Sequence, residues 1–359
     1  MNADLQRVIC GLLCIGFEGR RVDDRLRRWL DRGVGGVIAF ARNTGPPDAV
    51  AALNDEIVRV AGRPIVRGVD QEGGRVARLT DGFTVPPPME RLGRTRDAKL
   101  AYGVGQVLGR EVAGVGFNMT FAPVLDLATD GDSQVIGERS LSAEPAVAGE
   151  LGAAIVRGIQ DVGVMACGKH FPGHGNTPID SHLALPRVTT PRETIASREL
   201  LPFRAAIAAD VASIMPGHLV VETYDAERPA TTSPTIVGGL LRGEMGFDGL
   251  AISDDLEMGA IVETIGVEAA AVGAVRAGID LLLVGRSHDR AETILGALAA
   301  AIERGELDAA EVTRKSARVQ AAAARADASI DRARWRSTVG SAEHREIVER
   351  IDALAQDNA

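Results

Sequence analysis

Residues 169–186, KHFPGHGNTPIDSHLALP, hold the densest group of reactive side chains in the chain. Three of the six histidines lie here with Lys169 and Asp180, among two glycines and three prolines. Because proline and glycine interrupt helices and strands, the segment is predicted to be a loop. Imidazole, ammonium and carboxylate groups in one loop can bind a metal ion, activate a nucleophile or transfer a proton to a substrate.

A metal site is one interpretation of this loop. His170, His174 and His182, together with Asp180, offer the nitrogen and oxygen ligands that zinc accepts. Two histidines four residues apart share a face only on a helix, and the proline and glycine between the first two exclude a helix. The spacing is therefore a weak signal. We expect no metal ion and no cofactor, and a metal-dependent barrel hydrolase is the alternative.

Cysteine and serine nucleophiles have less support. Cys167 lies inside an apolar run and is expected to be a core residue, and Ser253 lacks the flanking glycines of a nucleophile elbow. The chain contains three cysteines, an odd and small number that indicates reduced thiols. Reduced thiols are typical of a cytoplasmic protein, which is the location we expect.

Eight short apolar runs, separated by helical stretches, must position these groups. The runs span residues 11–17, 36–40, 64–70, 118–127, 165–171, 212–220, 249–255 and 280–285. Runs of this kind suit strands that are buried on both faces of a parallel sheet. Their alternation with helices predicts an α/β fold, a single (β/α)₈ TIM-type barrel, with a doubly wound open sheet as the alternative. No GxGxxG motif follows the first run, so a dinucleotide-binding fold has no support.

A single domain, residues 1–359, is expected. Residues from about 289 to 359 are predicted to form helices rich in Ala, Glu and Arg, with too few large apolar residues for a core of their own. We expect this C-terminal extension to pack on the barrel or to cap one of its ends. The apolar run 8–17 lacks the basic flank of a signal peptide and is expected to be a buried strand.

Polar residues gather where five of the eight runs end. The sequences at these ends are DQEGGRVARL, PVLDL, GKHFPGHG, MPGHLV and SDDLEM. Helix caps and turns explain isolated Asp and Ser residues, but they do not explain three histidines, a lysine and an aspartate in one loop. Since the active site of a (β/α)₈ barrel lies at the carboxyl ends of its strands, these five ends predict an active site.

Four motifs follow one another along the chain: VDQEGGRVARL, IGERS, KHFPGHG with DSH downstream, and ISDDLEM. Together they resemble glycoside hydrolase family three, and within it the single-domain bacterial β-N-acetylglucosaminidases of peptidoglycan recycling. The resemblance implies a retaining exo-enzyme that forms a covalent glycosyl-enzyme intermediate. It also implies muropeptide fragments such as GlcNAc–anhydroMurNAc as substrates, from which terminal non-reducing GlcNAc is cleaved.

The resemblance further implies the roles of individual residues. Asp254 matches the catalytic nucleophile, His182 the general acid/base, and Asp180 the partner of His182 in a dyad. A histidine suits proton transfer near neutral pH because its ordinary pKa is about 6.5. The positions that match sugar-binding residues are Asp70, Arg78, Arg139, Lys169 and His170.

Other polar residues at the strand ends keep two interpretations each. His218 lines the pocket or is a core histidine, and Asp126 supports the site or caps a helix. Glu72 and Arg75 take part in the chemistry or only brace a tight turn. Asp255 is expected to point away from the cavity, because neighbours on a strand alternate, and to cap the following helix.

Charge and hydropathy restrict the partners. Forty basic and forty-nine acidic residues give a net charge of −9, which argues against nucleic acid as a partner. No apolar run is long enough for a membrane helix, so no membrane partner is expected either. We expect a monomer that binds a GlcNAc-containing muropeptide. A sugar-binding protein without catalysis is a further alternative, against which the combination of Asp254 with Asp180 and His182 argues.

Overall fold

A computed structural model describes residues 3–128, 135–174 and 185–357. Eight parallel strands close into a barrel in which neighbours in sequence pair with one another and the last strand pairs with the first. The strands are β1 Leu13–Ile15, β2 Gly36–Ala39, β3 Val66–Val69, β4 Met119–Thr120, β5 Met165–Phe171, β6 Ser213–Pro216, β7 Leu250–Asp255 and β8 Leu281–Val284. Each apolar run contains one strand. The predicted (β/α)₈ barrel is therefore confirmed, and the open-sheet alternative is wrong.

Apolar side chains fill the interior of the barrel. Cys14, Ile38 and Cys167 belong to one buried cluster with residues from the other strands. Gly68 on β3 leaves space for the ring of Phe121, since an added Cβ would lie 2.7 Å from that ring. Cys167 is fully buried and is a core residue, as predicted. Burial raises the pKa of its thiol to about 12, so it is a poor nucleophile.

Helices cover the outside of the barrel. A typical one begins at Asp97, whose carboxylate accepts the backbone N–H of Lys99 at 2.8 Å. The α-helices span Ala3–Cys10, Asp24–Arg32, Pro47–Ala61, Met89–Thr95, Ala98–Gly114, Pro145–Gln160, Arg192–Thr194, Leu200–Ala208, Gly259–Val262, Val267–Ala277, His288–Glu303, Ala309–Ser329, Arg332–Arg336 and Ala342–Asp357. Ile195–Glu199 and Thr235–Glu244 are π-helical. Within the described ranges, no helix has the length and apolar character needed to cross a membrane.

The N-terminal apolar run differs from its prediction. Residues 8–10 end the helix Ala3–Cys10, and only Leu13–Ile15 pair as a strand. The helix packs against His288–Glu303 and Ala309–Ser329, so its apolar side chains are buried between helices rather than in the barrel sheet. An apolar run without clear periodicity fits either element, which is why the sequence did not separate the two.

The C-terminal helices pack on the barrel. His288–Glu303 follows β8 and packs on it as the eighth barrel helix. Ala309–Ser329 places Val319 and Ala323 in the interior cluster, at the end of the barrel where the strands begin. The expected cap is therefore this helix, whose small side chains fit the closing end of the barrel. That residues 1–359 form a single domain stays a prediction.

Candidate active site

A cavity of about 350 Å³ opens at the carboxyl ends of the strands. Residues that follow five different strands contribute its walls, which combine charged groups with the apolar side chains of Phe40, Phe121, Met215 and Met258. The charged residues around it include Asp70, Arg78, Lys169, Asp254, Asp255 and Arg286. The structure therefore brings four of the predicted site residues, Asp70, Arg78, Lys169 and Asp254, to one cavity.

Asp254 lies near the end of β7 and lines the cavity. Its Oδ1 accepts a hydrogen bond of 2.8 Å from the backbone N–H of Asp255. Burial opposes ionisation, but the electrostatic influence of His170 and His218, that hydrogen bond and the Lys169 ammonium together lower the pKa of Asp254 to about 2. The carboxylate is therefore ionised at neutral pH, as a nucleophile must be.

Lys169, on β5, forms the centre of a buried charge network. Its Nζ lies 2.9 Å from Asp70 Oδ1 and 2.6 Å from Glu72 Oε1. Burial disfavours the ammonium, yet the two carboxylates raise the pKa of Lys169 above its usual value. Arg78 Nη2 approaches the other oxygen of Asp70 at 3.7 Å. Asp70 thus lies between two cations at the cavity wall, where its oxygens can accept hydrogen bonds from sugar hydroxyls.

Glu72 braces this network from behind. Arg139 donates to both of its carboxylate oxygens at 2.8 Å each, and Lys169 occupies Oε1 as well. Burial disfavours the anion, but the two cations lower the pKa of Glu72 to about 2. A carboxylate that is only 2% exposed and so firmly ionised cannot serve as a proton donor at neutral pH. Glu72 therefore supports Lys169 and Arg139 in this network, which is more than the bracing of a tight turn that the sequence suggested.

Arg139 and Arg75 lie next to Glu72 rather than in the cavity wall. The side chain of Arg139 is engaged by Glu72 and by the carbonyl of Val135, at 3.1 Å. Arg75 donates to the same carbonyl at 2.9 Å and is exposed, which fits a bracing role. The sugar-binding role that the resemblance implies for Arg139 stays a prediction.

Asp126 anchors the segment that leads into the histidine loop. Its Oδ2 lies 3.0 Å from the backbone N–H and 2.7 Å from Nδ1 of His170, and its Oδ1 accepts the N–H of His174 at 2.6 Å. Burial disfavours the anion, but the two histidines lower the pKa of Asp126 below its usual value. Asp126 therefore supports the site and does not cap a helix, which settles its ambiguity.

Asp126 contacts His170 through the ring nitrogen Nδ1 and does not contact the other ring nitrogen, Nε2. His170 is 7% exposed and lies beside Asp254 closely enough to lower its pKa. Burial, followed by the electrostatic influence of His170, lowers the pKa of His174 below its usual value, so His174 is neutral at neutral pH. Asp180 and His182 lie outside the described residues, and their dyad stays a prediction.

Asp255 differs from its prediction. It lines the cavity beside Asp254, because the pairing of β7 with β8 shifts register between Ile252 and Asp255 and interrupts the strand alternation. The following helix, Gly259–Val262, begins after Met258, so Asp255 does not cap it. Burial raises the pKa of Asp255 to about 6.

Several cavity residues were not expected from the sequence. Arg42 follows β2, Arg286 follows β8, and Glu257 follows β7. Arg42 and Arg286 come within three residues of a strand end, the position that indicated the other site residues. Polar residues follow β2 in the sequence ARNT and β8 in the sequence GRSHDR, but neither belongs to the four motifs that indicated the other site residues.

A metal centre finds no support in the part of the chain that the structure describes. No group of three or more His, Cys, Asp or Glu side chains is arranged there to hold a metal ion. His182 belongs to the proposed ligand set and lies outside these ranges, so the metal alternative stays untested for the loop itself.

Sequence comparisons place the chain among known glycosidases. Residues 6–322 match the model of the glycosyl hydrolase family 3 N-terminal domain. A β-hexosaminidase of Thiobacillus denitrificans is 42% identical over 295 residues, which are 80% of this chain and 82% of that protein.

Solved structures agree. A glycoside hydrolase family 3 β-N-acetylglucosaminidase from Paenibacillus sp. str. FPU-7 superposes with a TM-score of 0.93 at 40% identity, covering 98% of this chain and 68% of that one. NagZ from Neisseria gonorrhoeae, in complex with N-trifluoroacetyl-D-glucosamine, has a TM-score of 0.81 at 30% identity, covering 96% and 98%. The chain therefore belongs to glycosyl hydrolase family 3 and is a glycoside hydrolase.

Proposed function

We propose that the chain is a retaining exo-β-N-acetylglucosaminidase in which Asp254 is the nucleophile. The observation that carries this proposal is an ionised carboxylate at the end of a barrel strand, in a cavity whose opposite wall holds Asp70 between Lys169 and Arg78. Names of family members support the sugar, since relatives are β-hexosaminidases and a structural neighbour is a β-N-acetylglucosaminidase.

The reaction has two steps. In the first, Asp254 attacks the anomeric carbon, the bond from that carbon to the leaving oxygen breaks, and His182 gives a proton to the leaving oxygen. In the second, His182 takes a proton from water, which attacks the same carbon and releases Asp254. Asp180 holds the ring of His182 in one tautomer and stabilises its protonated form.

Asp70, Lys169 and His170 orient the sugar for this attack, together with Arg78 and Arg139. The direct ion pairs of Lys169 fix its ammonium within 2.9 Å of Asp70, so the two groups offer a hydrogen-bond donor and an acceptor side by side. A pair of this kind matches vicinal sugar hydroxyls. Because the network is braced by Glu72, little rearrangement is needed when the sugar binds.

The proposed substrate is a muropeptide fragment such as GlcNAc–anhydroMurNAc, recycled in the cytoplasm by a monomeric enzyme. Three arginines, Arg42, Arg78 and Arg286, line the cavity, and such a fragment carries carboxylate groups that they can attract. The three cysteines are free and buried, which is compatible with a reducing compartment.

The proposal is tested with aryl β-glycosides and with the anomeric configuration of the first product. We expect turnover of the β-N-acetylglucosaminide, slower turnover of the β-glucoside, and a product that is released as the β-anomer. A fluorosugar that traps the intermediate should label Asp254. Release of the α-anomer, or a label on another residue, contradicts the proposal.

A chelator test separates this function from the metal-dependent alternative. Dialysis against a strong chelator should leave the rate unchanged, because each step uses only carboxylate and imidazole groups. A loss of activity that zinc restores would favour the metal-dependent hydrolase instead. Sugar binding without turnover would favour the non-catalytic sugar-binding protein.

A further inference from the structure

We propose that Asp255 is a positioning residue that aims the carboxylate of Asp254 at the anomeric carbon. Asp255 is held in place by hydrogen bonds from His218, Glu257 and Gly285, and we call these four residues the clamp. This inference rests on the proposed role of Asp254 as the nucleophile.

The link from the clamp to the nucleophile is a single hydrogen bond. The backbone N–H of Asp255 donates to Asp254 Oδ1 at 2.8 Å, and among the described residues it is the one donor to that carboxylate. It engages Oδ1 and leaves the lone pairs of Oδ2 for the attack. The direction of the nucleophile therefore depends on where the backbone of Asp255 lies.

The other polar groups of Asp255 are held by three parts of the barrel. Its carbonyl accepts a hydrogen bond of 3.0 Å from Nε2 of His218, which follows β6. Its Oδ1 accepts the backbone N–H of Glu257 at 3.0 Å and that of Gly285, which follows β8, at 3.1 Å. Contacts on the N–H, the carbonyl and the side chain together restrict both backbone dihedrals of the residue.

His218 is the fixed end of the clamp. It is fully buried, and a carbonyl can only accept, so Nε2 must carry the proton that bonds Asp255. Its Nδ1 lies 2.9 Å from Thr231 Oγ1, which in turn lies 2.9 Å from the carbonyl of Gly217. These contacts fix the ring, and they give His218 a bracing role beside the cavity.

Gly285 leaves the space that the carboxylate of Asp255 needs. A Cβ added there would overlap Asp255 Oδ2 and would lie 3.0 Å from Phe40 Cζ. The backbone of Gly285 does not have a positive φ, so an alanine there is strained only by contact with these side chains, which must shift to accommodate it. Gly285→Ala therefore disturbs the clamp without changing any charged group.

The experiment measures the rate of glycosyl transfer to the enzyme by rapid quench, on an aryl β-N-acetylglucosaminide with an activated leaving group. Asp255→Ala and Gly285→Ala should each lower that rate by about 10²-fold, the usual effect of a misplaced reacting group. The substrate concentration that half-saturates this single-turnover rate and the inhibition constant of free N-acetylglucosamine should stay within about twofold, because Asp70, Arg78 and Lys169 are untouched.

Asparagine should rescue position 255. The carbonyl oxygen of an asparagine can accept both backbone N–H groups, so Asp255→Asn should keep the rate within a few-fold of the wild type. Gly296→Ala is the matched control, because an added Cβ at Gly296, in the helix His288–Glu303, meets no atom within 4 Å. It should leave the rate unchanged, and the melting temperature should stay the same or rise slightly, because alanine favours a helix interior over glycine.

A double variant makes the test specific. Asp255→Ala removes the carboxylate that an added Cβ at position 285 would meet. In that background Gly285→Ala should therefore lower the rate of glycosyl transfer by less than about threefold, instead of by a second 10²-fold. Fully additive losses, a normal rate in Asp255→Ala, or weaker substrate binding with an unchanged single-turnover rate would each overturn the inference. If Asp255→Ala does not fold, His218→Gln and His218→Ala are compared instead. The rate of His218→Gln should be at least tenfold higher than that of His218→Ala, because the glutamine amide can donate to the Asp255 carbonyl in place of Nε2.

The outcomes separate this inference from the proposed function. If the fluorosugar labels Asp254 and Asp255→Ala reacts at the normal rate, only the clamp is wrong. If the wild-type enzyme is not labelled at Asp254, the proposed function itself fails.

Discussion

The two ends of the barrel each hold an aspartate carboxylate, which is fully buried at Asp280 and partly exposed at Asp254, and the two carboxylates differ in their partners. Asp280, just before β8, accepts from Arg242 at 2.7 Å, from Arg318 at 3.2 Å and from the backbone N–H of Ala251 at 3.0 Å. Asp254, at the opposite end, makes no direct ion pair with any described residue and accepts one hydrogen bond.

This difference separates a carboxylate that stabilises the fold from one that reacts. Both oxygens of Asp280 are occupied by partners, two of which, Arg318 and Lys315, belong to the helix that closes the barrel. Burial raises the pKa of Asp254, but the electrostatic influence of His170, His218 and Lys169, with one backbone hydrogen bond, lowers it to about 2 and leaves an oxygen available. An ion pair at contact would have engaged the lone pairs that the reaction needs.

The largest effect is expected for Asp254→Asn. Loss of the nucleophile should lower kcat/KM by at least about 10⁴-fold, measured on an aryl β-N-acetylglucosaminide. Since the folded state lowers the pKa of Asp254 to about 2, it favours the anion, and loss of the charge should also lower the free energy of unfolding at pH 7, by on the order of 2 kcal/mol in chemical denaturation. Inhibition by free N-acetylglucosamine is the control for an intact site. Residual activity of more than a few per cent contradicts the role of Asp254.

The next effect is expected for His182→Ala. Removal of the acid/base should slow a natural disaccharide by about 10²- to 10⁴-fold, since its leaving group needs a proton. Glycosyl transfer from an activated aryl substrate should be much less affected. Asp180→Ala should show the same pattern more mildly, because the ring remains while its orientation is lost. Equal losses on both substrates would assign the proton transfer to another residue. Glu72 is a poor donor, because its ion pairs with Lys169 and Arg139 favour the anion.

Asp280→Asn is expected to show the opposite balance. The change removes a fully buried charge from three cationic partners, which should lower the free energy of unfolding by about 3 kcal/mol in chemical denaturation. The folded enzyme should keep its kcat, because Asp280 lies at the far end of the barrel. Asp289→Asn is the matched control, since its side chain is 87% exposed in an ion pair with Arg25 and should contribute less than about 1 kcal/mol. A large loss of kcat in Asp280→Asn would show that the two ends are coupled.

The sequence predicted the reactive end of the barrel better than the closing end. Strand positions and most site residues followed from apolar runs with polar ends, since the carboxyl ends of parallel strands meet. The helix Ala309–Ser329 packs its alanines against the closing end of the barrel. No sequence motif indicates small side chains that pack in this way, so this contact could not be predicted. The register shift in β7 brings both Asp254 and Asp255 to the cavity, and it depends on pairing with β8 that local sequence does not specify.

The smallest effect is expected for Asp255, which lines the cavity like Asp254 but whose side chain accepts two backbone hydrogen bonds. Burial raises its pKa from 3.8 to about 6, so the folded protein binds this proton more tightly than the unfolded chain does. Its contribution to stability is therefore complete below about pH 4 and is lost as the pH rises through 6. Relative to Asp255→Asn, the wild type should lose on the order of 2 to 3 kcal/mol of unfolding free energy between about pH 4 and pH 7. The lowered pKa values of Glu72 and Asp254 act in both proteins, so the difference between the two chemical denaturation series cancels them. If the difference in unfolding free energy stays constant with pH, folding does not raise the pKa of Asp255. If the difference favours the wild type as the pH rises, the fold stabilises the Asp255 carboxylate, and the contrast with Asp280 is lost.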